Sequence, residues 1–174
     1  MKKLVSITTT ILLLAAGVAH AQSPNDAQIA AIVVTANQVD IDAGQLAEKK
    51  AARADVKAFA KQMVTDHSGV NKQAVALVTK LKVTPEDNAT AQSLKSGGAD
   101  NVKGLEKLSG AAFDSAYVAH EVAYHQQVID AIDKVLIPSA QNAELKALLV
   151  AVRPAFVAHL DHAKALQASL ARKS

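Results

Sequence analysis

Five ionisable side chains stand where an amphipathic helix normally carries apolar ones: Asp40, His67, Glu121, His125 and His159. On a 100° helical wheel, Phe59, Met63, Val70, Ala74 and Leu77 define an inward stripe. His67 falls inside it, four residues after Met63 and three before Val70. Asp40 falls within the stripe of Ile29, Val33, Ala36, Ala43 and Ala47. Glu121 and His125 share the face of Tyr117, Val118, Val122, Val128, Ile129 and Ile132. His159 sits at the edge of the stripe made by Leu145, Leu149, Val152, Phe156 and Leu160. Burying an ionisable group is costly unless it is paired or holds a metal. Two carboxylates with two or three imidazoles suit iron, manganese, zinc or copper, and the interior of a helix bundle is a place where such sites are built. The other readings are a buried hydrogen-bond network that aligns the helices, and a pocket for an unrelated ligand. The Glu-x-x-His pair of di-iron bundles is absent from the inward positions: Met63 stands four before His67, and Glu121 stands four before His125.

Those five residues need four rods to bring them together. Helical periodicity predicts long helices over residues 26–50, 55–81, 112–136 and 142–171, with a short one marked by Val102, Leu105 and Leu108. "SPND" offers cap candidates for the first, and Pro85 in "VTPEDNAT" follows the second. Gly97-Gly98 is read as a turn, Gly110 as punctuation, Ile137-Pro138-Ser139 as the close of the fourth segment, and Pro154 as a kink inside the last. Short turns near Ala52 and Ser139 make two antiparallel hairpins joined by a long connection, which predicts an all-α four-helix bundle with a short extra helix. Counted from Ala52, Asp40 and His67 differ in height by about 4–5 Å. Counted from Ser139, Glu121 and His159 differ by about 3 Å, while His125 is off by about 9 Å.

The chain has 174 residues, half of them apolar but only 3% aromatic, a balance that favours closely packed helices over sheets. Lys2-Lys3, the apolar run 11–18 and Ala19-His20-Ala21 read as a cleavable export signal over residues 1–21. Residues 22–174 then form a single domain, expected in the periplasm without membrane insertion. Loss of Lys2 and Lys3 from 19 basic residues against 16 acids leaves that domain near +1, a balance that points away from nucleic acid. With no Cys, disulfides and thiolate metal sites are excluded. An Ala-rich groove leaves room for a homodimer. No Gly-x-Ser-x-Gly elbow or phosphate-cradling glycine loop is present, so the domain is read as non-catalytic, an oxidase being the weaker extension of the metal reading. Asp66 is read as a hydrogen-bond partner or a solvated acid. Asp114 is read as a first-turn acid favoured by the helix dipole, Tyr117 and Tyr124 as core or rim aromatics, and His120 and His162 as solvated.

"DVKAFAKQMVTDHSGVN", "SGAAFDSAYVAHEVAYHQQVI" and "PAFVAHLDHAKAL" resemble the three blocks of the domain-of-unknown-function 4142 family of exported bacterial proteins. The resemblance spans about residues 29–170. It implies a periplasmic, ferritin-like fold and no established activity. Its recurring polar residues fall on Asp66, His67, Asp114, His125 and His159, and the family usually has Glu where this chain has Asp40.

Overall fold

The computed structural model describes residues 23–172, and these are all helix and connecting turn. Helix α1 spans Asp26–Lys50, α2 Ala54–Leu81, α3 Ala89–Glu106 and α4 Gly110–Ala131. A π-helical stretch, Ile132–Leu136, leads into the three-residue α5, Ile137–Ser139, and α6 spans Ala143–Ala171 with Pro154 inside it. The hairpins α1–α2 and α4–α6 pack together through α1 on α4 and α2 on α6, while α3 lies against α1 and barely touches α4. The result is a bundle of four long helices with a fifth on its flank, and the expected boundaries of α1, α2 and α6 hold to within one residue.

Local chemistry explains the starts. The Asn25 side chain accepts from the Gln28 backbone N–H at 2.8 Å, and the Gln28 side chain accepts from the Asn25 N–H at 3.1 Å, a reciprocal capping box. Asn142 caps α6 by accepting from the Glu144 and Leu145 N–H groups. Three expectations are corrected. The connection between the hairpins is not a short helix broken by a glycine turn, because α3 runs for 18 residues straight through Gly97 and Gly98. Asn88 caps it at Ala91, and Gly98 lets it seat on α1: a Cβ there would lie 2.7 Å from both γ carbons of Val39. Packing outweighs the weak helix propensity of the pair.

The fourth segment does not run as a plain α-helix to Leu136. Pro138 has no N–H to give the carbonyl of Lys134, and the local register widens instead, with the Ile137 N–H reaching back five residues to the Ile132 carbonyl. Nor is Asp114 a first-turn acid that serves the helix dipole. It is fully buried, and its two carboxylate oxygens accept from the backbone N–H groups of Ala52 and Arg53, both at 2.9 Å. It ties the α1–α2 turn to α4. At the opposite end Asp26 does the same for the α5–α6 turn, accepting from the Gln141 and Asn142 N–H groups at 2.9 Å.

The apolar interior is two clusters rather than one. Ile29, Ile129, Leu149 and Phe156 belong to the first, and Ala47, Phe59, Met63, Tyr117 and Ala163 to the second. Between them lies a polar layer. Its members are the buried side chains of Asn37, Asp40, His67, Glu121, His125 and His159.

Candidate metal centre

Each of the four long helices delivers part of that layer: α1 brings Asn37 and Asp40, α2 His67, with the half-exposed Asp66 beside it, α4 Glu121 and His125, with Tyr117 one turn before Glu121, and α6 His159. All five residues expected to point inward do so, with no more than 3% of any of them exposed. The three imidazole rings surround one another at centroid distances of 5.3 to 5.5 Å. One ligand atom each from His67, His125 and His159 lie within 4.8 Å of one another, as do one each from Asp40, Glu121 and His125. His125 belongs to both sets.

The height mismatch expected for His125 therefore does not hold. Counting from Ser139 charges the connecting residues Ala140 to Asn142 to α6. Measured from the helix ends, His125 lies fourteen residues before Ser139 and His159 sixteen after Ala143, an offset of only about 3 Å.

The hydrogen bonds around the rings fix which nitrogen is free. His67 Nδ1 lies 2.7 Å from Asn37 Oδ1, and the Asn37 amide donates in turn to the Val33 carbonyl at 2.8 Å. That second bond orients the amide so its oxygen can only accept, which places the proton on His67 Nδ1 and the lone pair on Nε2. His125 Nδ1 meets the Glu121 backbone carbonyl at 3.1 Å, again leaving Nε2. His159 Nε2 meets the Asp66 carboxylate at 2.9 Å, leaving Nδ1. The three remaining nitrogens, both oxygens of Asp40 and Oε2 of Glu121 are buried without a hydrogen-bond partner among the described residues. Holding one imidazole nitrogen from behind so that the other presents a lone pair is how proteins prepare histidine to ligate a metal.

Among the described residues no lysine or arginine side chain is buried in the layer. Burial, and then the charge of Glu121, push the Asp40 carboxyl well above the usual range. Burial lifts Glu121 to about 8, partly offset by the Tyr117 hydroxyl against it. His67 is held well below its ordinary value by burial and by the two neighbouring imidazoles. His159 is lowered by burial, with Asp66 pulling the other way. Without a metal, burial favours the uncharged forms of Asp40, Glu121, His67 and His159, the two acids holding their protons and the two imidazoles having lost theirs. A dication would supply the missing positive charge and displace those protons.

The Asp40, His67 and His125 atoms fit such an ion, while Glu121 Oε2 lies 3.4 Å from His125 Nδ1. Asp40 Oδ2 lies 3.3 Å from His67 Nε2 and 3.6 Å from His125 Nε2. Those separations approximate the edge of a tetrahedron with bonds of about 2.0–2.1 Å, roughly 3.4 Å. The shorter reach of aspartate, compared with the usual glutamate of the resembling family, does not keep Asp40 out of the cluster.

Asn37 is the residue the helical wheel passed over, although it stands four after Val33 and three before Asp40, on the same face. Asp66 proves to be a partner of His159. His162 is exposed as expected, its ring edge on Phe59. His120 is corrected from solvated to half-buried: it stacks on Tyr124 at 5.5 Å, and burial lowers it. The Tyr124 hydroxyl donates to the Ala36 carbonyl at 2.9 Å.

Fold and site together define an all-α helical bundle with an inward histidine and carboxylate layer. The chain belongs to the Domain of unknown function (DUF4142) family, which it matches over residues 13–166. No curated protein and no solved structure matches it.

Proposed function

We propose that this chain is an exported envelope protein that binds a transition-metal ion in the middle of its bundle. His67 Nε2, His125 Nε2 and His159 Nδ1 would be the imidazole donors, with Asp40 and Glu121 as carboxylate donors. The observation that carries this reading is the orientation of the three rings, each secured from behind by an acceptor and each left with a buried, unpartnered nitrogen facing the others. A network that served only to align helices would leave few such atoms, since an unsatisfied buried polar group costs about 1–3 kcal/mol. The mixed nitrogen and oxygen set suits iron, manganese, zinc or copper, which would bring Lewis acidity or redox capacity. What this chain's own residues supply is binding, tautomer control through Asn37, Asp66 and the Glu121 carbonyl, and exclusion of water. The ferritin-like character that the family resemblance implies is in keeping with a metal held between helices.

Export rests on the basic start, apolar run and Ala19-His20-Ala21 site, which lie outside the described residues; among the described residues no helix is long and apolar enough to cross a membrane. Elemental analysis of the purified protein after exposure to each of the four metals tests the central reading. Stoichiometric metal, lost in a His67→Ala/His159→Ala double variant that keeps its helical spectrum, is expected. A metal-free protein whose melting temperature ignores all four ions would return the layer to a purely structural role.

A further inference from the structure

Beside the polar layer lies a second feature that the metal reading does not use. A cavity of about 220 Å³ opens between α3 and α4 and runs inward to α1 and α6. Its mouth carries Thr90, Leu94 and Gln127, and Ile32, Leu149 and Val152 are among the apolar residues that line it. No charged residue lines it. The buried polar side chains on its wall are spoken for: Asn37 donates to Val33 and accepts from His67, and the Tyr124 hydroxyl donates to Ala36. The interior thus offers almost no hydrogen bond to water, and a cavity of that kind stays dry and takes up apolar molecules; one of about 150 Å³ holds benzene.

We infer that this cavity is a binding site for a small neutral apolar molecule of roughly six to ten non-hydrogen atoms. The opening arises because α3, seated on α1 through Gly98, leaves α4 almost untouched along this flank. The far wall of the cavity is the near wall of the polar layer. Asn37 orients His67, and the Phe156 ring lies 5.1 Å from that of His67 and 6.2 Å from those of His125 and His159. A molecule seated there touches the side chains that position the imidazoles without touching the proposed ligand atoms. The site goes beyond the metal reading and stands without it.

The test uses metal-free protein with toluene, phenol and benzoate as probes, read by methyl NMR. Toluene is expected to give saturable shifts confined to Ile32, Leu149, Val152 and their neighbours. Phenol, the same ring with a hydroxyl, should bind at least tenfold more weakly, and benzoate not at all. Leu94→Trp at the mouth and Val152→Phe on the wall should each weaken toluene at least tenfold. Should both variants fail to fold, displacement of xenon by toluene in the unaltered protein decides. Shifts that never saturate, equal affinity for phenol or benzoate, toluene binding unchanged in a folded filling variant, or xenon that toluene cannot displace would each overturn the proposal. Metal analysis of the same samples reports separately, so failure of the cavity site and failure of the metal reading are distinguishable.

Discussion

Asp40 and Asp114 are both buried, both on helices of the bundle and both on inward faces, yet their surroundings are opposite. Asp114 has two backbone N–H groups at 2.9 Å, one for each oxygen, and it fastens a turn. Asp40 has no hydrogen bond to either oxygen and faces two imidazole nitrogens that are themselves without a hydrogen-bond partner among the described residues. The contrast shows that burial alone does not single out a functional acid. What separates the two is whether the fold provides the donors that a carboxylate requires.

Removing each acid should therefore give effects of different kind. Asp114→Ala leaves the Ala52 and Arg53 N–H groups without their acceptor and should cost about 3 kcal/mol of stability in denaturant unfolding, with metal content per folded molecule unchanged. Asp40→Asn should do the reverse, raising the stability of the metal-free protein at neutral pH while weakening metal binding by a factor of about 100 or more. Equal destabilisation by both substitutions would erase the distinction.

The pH dependence of metal-free stability sharpens it. Asp40 and Glu121 are both raised on folding, so their contribution to stability is lost as pH rises, for Glu121 through about 8. His67 and His159, lowered on folding, act in the opposite sense and lose stability as pH falls below about 6.5. Between pH 6.5 and 8 the raised Glu121 carboxyl gives a falling slope. Stability should fall there by about 1–2 kcal/mol, and the fall should shrink in Glu121→Gln. Metal affinity should climb over the same range, because the ion competes with the Glu121 proton.

Asn37→Ala removes the acceptor behind His67 and frees the ring to turn. A loss of about 10–100-fold in metal affinity is expected by competition titration, with the five proposed ligands intact. An unchanged affinity would mean that the amide is only packing. The smallest pair concerns the flank. Gly98→Ala drives a methyl against Val39 and should cost about 1–2 kcal/mol, whereas Gly97→Ala, facing open space, should be neutral or stabilise the helix by up to about 1 kcal/mol.

Much of this architecture is written locally. The capping residues Asn25 and Asn142 and the 3.6-residue spacing of the apolar stripes place α1, α2 and α6, because caps and amphipathic faces are satisfied within a turn or two of chain. The same spacing turns Asp40, His67, Glu121, His125 and His159 inward. It does not reveal that Asp114 is a turn anchor, since Ala52 and Arg53 are more than sixty residues away. Nor does it show that Gly97-Gly98 continues a helix, because the reason lies on Val39 of another element.

The sequence by itself determined that four amphipathic rods would each point acids or imidazoles at a common interior, since helical periodicity is a property of the chain alone. Only the tertiary structure decided that these groups meet at one level, which imidazole nitrogen each acceptor leaves free, and that an apolar cavity lies behind them. Such distances depend on how separate helices are offset and packed, and no spacing within one helix encodes them.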